Sequence, residues 1–440
     1  MKKINRVPQI NASTKWPTKI VGFIHGQLPA FKLAANFAGH PDFVAHRAML
    51  DLEAKAIRHA PARPALRRLK LSDFRSYAAL DLEVEASLVV LCGENGAGKT
   101  NILESLSLLT PGRGLRRADM EDFARDAGSG GFAISAEIDG PTGPVQLGTG
   151  VEPPTEGGST QRKYRIDREP VSSIRGFADH VRLVWQTPGM DGLFAGPAGD
   201  RRRFLDRLVL AVDAEHGSRV NALERALRNR NRLLEDGIRK GAWLEASEKE
   251  IAEIAIAVAA ARTETVARLG ALLGKTDEAE ASPFPWAEVA LDGAVEQLAA
   301  ERSALEAEDA YREILRENRG RDAAAGRTLI GPQSCDLLVR HGPKNMEAAK
   351  ASTGEQKALL IGLILAHAQL VATMSGICPI ILLDEVAAHF DPRRRQALFA
   401  RLRALGAQVW VTGADPGLFQ DVSGPDTEFL TVTPGRVARG

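Results

Sequence analysis

The chain has 440 residues, 44% of them hydrophobic and 26% charged, with a formal net charge of +1. That length buries a large core and divides into two or three lobes, and the composition excludes a disordered, collagenous or disulfide-stapled chain. No apolar run reaches the roughly 20 residues of a membrane span, so no membrane partner is expected. Ile20 to Ile24 is too short for the apolar region of a signal peptide. Cys92, Cys335 and Cys378 lack metal-ligand spacing and read as buried thiols, which points to a reducing, cytoplasmic setting. Net charge alone says nothing about nucleic acid, but the basic residues are clustered. They gather at Arg58 to Lys70, at Arg201-Arg202-Arg203 and at Arg225, Arg228, Arg230 and Arg232. Such clusters are more often solvated helix faces than binding sites.

Residues 1 to 64 show no sustained period and end in Pro61-Ala62-Arg63-Pro64, a linker pattern; this extension is predicted to be poorly ordered. Leu66 to Val84 alternates apolar and polar residues as a hairpin around Asp73 to Ala78. Leu88 to Leu91 reads as a buried strand and Asn101 to Leu109 as a helix. Between them, Gly93-Glu94-Asn95-Gly96-Ala97-Gly98-Lys99-Thr100 fits G-x-x-x-x-G-K-[ST] in the strand–loop–helix setting that the chemistry requires. The glycines let successive N–H groups face phosphate oxygens, and the helix N-terminus adds positive dipole. Lys99 suits the β/γ-phosphates, Thr100 suits Mg²⁺, and Asn101 opens the helix beside them. The chain is therefore expected to bind ATP or GTP.

Strand pieces follow at Phe132 to Ile138, Val145 to Leu147 and Lys163 to Ile166, with a turn at Gly157-Gly158-Ser159. From Arg201 the pattern turns helical. Phe204, Leu205, Leu208, Val209 and Val212 form one stripe, Leu223 and Leu227 a second, and Ile251, Ile254, Val258, Val266 and Leu269 a third. Leu298, Leu305, Ile314 and Leu315 suggest more helix. After Gly331-Pro332 an α/β pattern resumes, with Ile380 to Leu383 and Gln408 to Val411 as buried strands. The predicted organisation is an ATPase lobe over 65–185, a helical insertion over 186–325 and the rest of the ATPase lobe over 326–440. Asp384 and Glu385 end an apolar strand, where the first suits water-mediated Mg²⁺ binding and the second a general base. Ser352 and Gly354 open a helix, a further anion-binding terminus.

The order of phosphate loop, helical insertion, Ser-x-Gly helix and Asp-Glu strand resembles the ABC-type ATPase head, an α/β P-loop NTPase fold. Four stretches resemble the RecF family of bacterial DNA replication and repair proteins, relatives of SMC heads. Leu71-Ser72-Asp73-Phe74-Arg75-Ser76-Tyr77 is similar to the family's opening L-x-L-x-N-F-R-N-Y. Gly93 to Glu104 is similar to its phosphate loop and helix. Gly196 to Asp206 is similar to its G-x-P-x-x-R-R-x-F-L-D, the most diagnostic of the four. Ser352 to Lys357 with Leu383-Asp384-Glu385 and Phe390-Asp391 are similar to its signature, acidic strand and D-loop. The chain departs from the family at Ala351 and Thr353, and at Gln333-Ser334-Cys335 within the loop usually reading G-P-H-R-D-D. Residues 1 to 64 have no counterpart. The stretch between Lys99 and Asp384 holds no zinc hook and no sustained heptads, so no long coiled coil is expected.

The resemblance implies an ATP- and Mg²⁺-dependent DNA-binding protein with weak, DNA-stimulated ATPase. Two ATPs would be sandwiched in a homodimer, each between Lys99 and Thr100 of one chain and Ser352 of the other. Hydrolysis through Glu385 would reopen it. It further implies gapped, junction and duplex DNA as ligands, RecR and RecO as partners, and help in loading recombinase on single-stranded gaps. The alternative is an SMC-like scaffold with little turnover. Gln186 reads equally as a Q-loop metal ligand or as an ordinary loop residue. Arg116 and Arg117 lie where related heads carry a DNA- or γ-phosphate-sensing arginine. They and Arg225, Arg228 and Arg232 are the candidate DNA contacts, while an inward-facing member of Arg201 to Arg203 is expected to pair with Asp206.

Overall fold

A computed structural model describes residues 60–154, 161–274, 282–387 and 390–439. The expected extension, up to residue 59, and the turn at Gly157-Gly158-Ser159 lie outside them. Within the stretch read as a linker, Ala62 donates its N–H to the Gly376 carbonyl (2.8 Å) and accepts from the Cys378 N–H (2.7 Å).

β1 (Ala65–Phe74) and β2 (Tyr77–Glu83) form the expected hairpin. β3 (Leu88–Cys92) leads through the glycine-rich loop into α1 (Lys99–Ser107). β4 (Phe132–Gly140), β5 (Gly143–Val151), β6 (Arg162–Ile166) and β7 (Glu169–Val171) then extend the hairpin into an antiparallel sheet of order β2-β1-β4-β5-β6-β7. Its alternation is clean: Phe132, Ile134, Ala136 and Ile138 of β4 and Val145, Leu147 and Val151 of β5 are all buried. They form one core with Ile102, Leu103 and Leu106 of α1. Burial of one face fixes the register, since a slip of one residue would turn these side chains to solvent.

β8 (Leu183–Gln186) precedes the helical lobe: α2 (Ala198–Val212), α3 (His216–Glu235), α4 (Ala242–Leu273), β9 (Ala287–Asp292), α5 (Ala294–Glu301) and α6 (Ala304–Ala325). Leu305 is 69% exposed, so it does not belong to the apolar stripe expected of α6. β10 (Asp336–His341) and β11 (Met346–Glu347) pair with β9 in a small sheet of order β11-β10-β9. That sheet joins residues on both sides of position 325, where the helical insertion was expected to end.

α7 (Thr353–Ser375), β12 (Ile380–Leu383), α8 (Pro392–Leu405), β13 (Val409–Gly413), β14 (Thr427–Thr433) and β15 (Arg436–Arg439) complete the chain. The second six-stranded sheet runs β15-β14-β3-β13-β12-β8, parallel except for β15. β3, β12 and β13 are buried throughout, as strands covered on both faces must be. α7 corrects one expectation. Its 23 residues include an 18-residue window of mean hydropathy 1.8, so it is long and apolar enough to cross a membrane, but 78% of that window is buried inside the protein. It is the central core helix, packed between the parallel sheet and the helical lobe.

Candidate nucleotide-binding site

The glycine-rich loop is held open by its neighbours. A Cβ at Gly93 would lie 2.2 Å from the Val432 carbonyl oxygen of β14, and one at Gly98 within 2.9 Å of the Tyr77 and Ser76 hydroxyls. Gly98 caps α1 with φ +111 and without a side-chain cap, and the first turn holds no acid. The N-terminal amides of α1 are thus left for an anion. Lys99 is 4% exposed and donates to the carbonyls of Gly93 (2.7 Å) and Glu94 (2.8 Å). An ammonium has three protons, so one remains to donate. Glu94, Asn95 and Gly96 are exposed on the rim, Ala97 is buried, and Asn101 donates to the Ser76 hydroxyl at 2.9 Å.

β12 delivers the acids. The Thr100 hydroxyl lies 3.0 and 3.1 Å from the two Asp384 oxygens. The Thr412 hydroxyl of β13 donates to Asp384 Oδ1 (2.8 Å) and accepts the Glu385 backbone N–H (2.9 Å). Burial raises the Asp384 carboxyl above its ordinary pKa and the Glu385 charge adds to this, while the Thr412 and Thr100 hydroxyls oppose it. A buried carboxylate with its charge left unneutralised is a fitting seat for a cation. Gln186 stands beside it, in register with Leu383, and its backbone carbonyl accepts the Asp384 N–H (3.0 Å). The Gln186 amide donates to the Thr187 carbonyl and to Asp191, leaving its Oε1 buried without a partner. Glu385 has φ +55, a left-handed backbone that a side-chain-bearing residue rarely adopts and that recurs at functional positions.

Ser352 is exposed at the N-terminus of α7 and donates its hydroxyl (2.9 Å) and its N–H (3.1 Å) to Glu355. The Lys344 ammonium, 2.6 Å away, and the Ser352 hydroxyl bring the Glu355 pKa down to about 2. Gly354 is half-buried, with nothing within 4 Å of a built Cβ. No hydrogen bond among the described residues joins Ser352 to the phosphate loop of its own chain. Asp391 caps α8 by accepting from the Arg394 N–H (2.9 Å), and Phe390 packs edge-on against Phe284.

Three features of the site were not read from sequence: the Thr412 clamp, the carboxylate of Glu104, and Asp191. Glu104 is fully buried and binds both Arg75 (2.9 Å) and Arg116 (3.1 Å). Asp191 ties the Gln186 amide to Lys357 of α7 (2.9 Å). Arg116 also donates to Asn101 Oδ1 (2.9 Å), and Arg117 is exposed, with desolvation and the nearby Arg203 lowering its pKa. Arg225, Arg228 and Arg232 are exposed on α3, and Arg228 reaches Glu224 only at 3.9 Å. The pairing expected for Arg201 to Arg203 is different. Arg201 binds Asp336 through both Nε (2.8 Å) and Nη2 (2.7 Å), Arg202 donates to the Cys335 carbonyl, and Arg203 pairs with Asp200. Asp206 faces the lobe interior, where Arg262 and His216, both at 2.8 Å, take its carboxylate.

Residues 65–434 match the family model described as the RecF/RecN/SMC N terminal domain. Two proteins named DNA replication and repair protein RecF are close in sequence. That of Mesorhizobium japonicum is 50% identical over 377 residues, covering 86% of this chain and 98% of the relative. That of Brucella abortus is 51% identical over 388 residues, covering 88% and 99%. The chain belongs to the RecF family. A solved structure described as the recombination mediator protein RecF-ATP in the RecFOR pathway superposes with a TM-score of 0.72 at 19% identity, over 86% of this chain and 99% of that one. A second, described as RecF-ATPrS, gives 0.74 at 19% identity, over 87% and 100%. The fold of this chain is thus an ABC-type ATPase head, as the motif order implied, and its two six-stranded sheets meet at the phosphate loop.

Proposed function

We propose that this RecF-family chain is an ATP-switched DNA clamp of recombinational repair and replication restart. The observation that carries the proposal is the convergence of Thr100, Asp384 and Thr412 beside the phosphate loop, with the strained Glu385 next in the chain. Lys99 and the amides from Gly93 to Gly98 hold the triphosphate, and Thr100 and Asp384 hold Mg²⁺, with Gln186 Oε1 free to join them. Bound Mg²⁺ neutralises charge on the β- and γ-phosphates. Glu385 takes the proton of the attacking water. Ser352 and Gly354 are exposed or open and unattached to their own phosphate loop, which suits them to a second copy's nucleotide.

Thr412→Val keeps the shape but removes both the donor to Asp384 and the acceptor for the Glu385 N–H. Turnover is expected to fall about 10- to 100-fold, the usual cost of losing a group that orients a ligand. Steady-state ATPase checks this, and an unchanged rate would show that Asp384 needs no clamp.

Ser352→Arg tests the sandwich itself. ATP affinity of the monomer should be unchanged, while sedimentation with ATP should show no dimer, because a bulky cation occupies the partner's phosphate position. A variant that dimerises normally rejects a Ser352-lined interface.

DNA is bound through phosphates by Arg116, Arg117, Arg225, Arg228 and Arg232, with ATP closing two basic surfaces around gapped, junction or duplex DNA. Arg116 can leave Glu104 without stranding it, since Arg75 remains. Arg225, Arg228 and Arg232 lie three and four residues apart, on one face of α3. Removing one arginine from a DNA phosphate should lower the salt slope of duplex affinity by about 0.9. Arg225→Ala/Arg228→Ala and Arg116→Ala/Arg117→Ala are the pairs to measure across a salt series. Unchanged slopes in both would place the DNA elsewhere. The solved relatives are described as belonging to the RecFOR pathway, which supports RecR and RecO as partners in loading recombinase on gaps.

A further inference from the structure

The solvent face of the antiparallel sheet carries a groove that the nucleotide site does not use. Two neighbouring cross-strand rows form it. The first runs Ser72–Ala133–Gly150–Lys163 and the second Lys70–Ser135–Gly148–Arg165, across β1, β4, β5 and β6. Small residues occupy the middle of both rows, and cations stand at three of the four ends, with Ser72 at the fourth. The resulting cavity is about 480 Å³, within the range of ligand pockets.

Gly150 has an internal reason to be glycine, since a Cβ there would lie 2.3 Å from the Phe132 carbonyl oxygen. Gly148 has none. A Cβ at Gly148 would meet Arg165 Cβ at 3.5 Å and the Arg165 and Ile134 carbonyl oxygens at 4.0 Å, all ordinary contacts. Glycine inside a strand costs stability and marks places where another molecule approaches closely. The acids lining the groove are already paired: Asp73 with Arg125 (2.9 Å) and Glu152 with Lys163 (2.5 Å). Arg165 is exposed and has no carboxylate partner among the described residues, and Arg168 reaches only Gln146 Oε1 (3.2 Å). The rim therefore keeps two uncompensated positive charges.

We infer that this groove docks an acidic amphipathic helix of a mediator partner. Three strand spacings separate β1 from β6, about 14 Å, and a helix with its side chains is about 10–12 Å across. β4 and β5 are interior strands, so their N–H groups are committed to the ladders, and the floor's polar groups are the Ser72 and Ser135 hydroxyls and the Gln146 amide, which already donates to Ser135 (3.0 Å). Ala133, Gly148 and Gly150 form the middle of that floor, which suits apolar side chains, while carboxylates flanking them meet Arg165 and Arg168. A phosphodiester backbone would gain from the rim and the two serine hydroxyls but would leave the apolar middle uncovered.

This inference rests on the proposal that RecR and RecO are partners, and the probes are those two proteins purified from the same genome. Gly148→Leu fills the groove from a position with ordinary backbone angles. Arg165→Glu/Arg168→Glu reverses the rim. Both full-length variants should bind RecR or RecO at least tenfold more weakly by titration calorimetry, with ATPase and duplex affinity within twofold of the parent. A photo-crosslinker at Ser135 should capture an acidic helical segment of that partner. If the parent chain binds neither protein, the partner reading fails and the groove assignment falls with it. If it binds one and both variants bind as well as the parent, the groove assignment alone is overturned. Loss of duplex affinity with partner binding intact would assign the face to DNA and reject the inference.

Discussion

Glu385→Gln abolishes measurable turnover while ATP binding persists, and the ATP-bound dimer accumulates: that is the outcome expected from the site. Losing a positioned general base costs about 10²- to 10⁴-fold. The amide keeps the shape of Glu385 but cannot accept the proton. The backbone is indifferent to the exchange, because both residues meet the same penalty at φ +55 and both offer the N–H that Thr412 accepts. Glu385→Gly separates backbone strain from chemistry, since it relieves the first and removes the second. It should be as inactive as the glutamine variant and at least as stable. Lys99→Ala loses nucleotide affinity instead, because the loop forfeits its one cation. Calorimetric affinity and steady-state ATPase on the three variants decide the matter. Wild-type turnover in Glu385→Gln would mean another group activates the water.

The phosphate loop was legible because its chemistry is contiguous. Eight residues between a strand and a helix carry every group needed, and no distant pairing alters their meaning. Asp384 and Glu385 were legible for a related reason, as acids ending an apolar run. Thr412 was not, because it meets Asp384 only through the parallel pairing of Leu383 with Val411. A hydroxyl at the end of the apolar strand Val409–Val411 was the one available signal. β9 escaped notice because the outward-facing Ala290 blurs the alternation in its sequence, although its burial alternates, and because β10 follows only after two intervening helices. The expected Asp206 pairing failed on helix geometry: Arg262 approaches from α4, a partner that spacing along α2 cannot reveal.

Arg230 shows how far a cluster of like charges can mislead. Grouped by composition, it belongs with Arg225, Arg228 and Arg232. The helical period places it otherwise, since Leu223, Ala226, Leu227, Arg230 and Leu234 follow the spacing of a buried stripe, and all five are buried. Arg230 is 0% exposed. It donates to Glu248 (3.1 Å), Asp322 (2.8 Å), the Thr328 hydroxyl (2.8 Å) and the Leu315 carbonyl (2.7 Å). The guanidinium thereby pins α3 to α4 and α6. Glu248 retains Arg319 if Arg230 is removed, but Asp322, 1% exposed, keeps only the Leu329 N–H. Truncation thus strands a buried carboxylate, which costs about 3–5 kcal/mol. Arg230→Ala should lower the stability of the helical lobe by that amount, whereas Arg225→Ala and Arg228→Ala should change it by less than about 0.5 kcal/mol. Arg230→Lys keeps the charge, loses the planar fork and should fall between. Urea unfolding followed by circular dichroism reads all four variants. A midpoint for Arg230→Ala equal to that of Arg228→Ala would mean that the network adds nothing to the lobe, and that Arg230 belongs with its exposed neighbours after all.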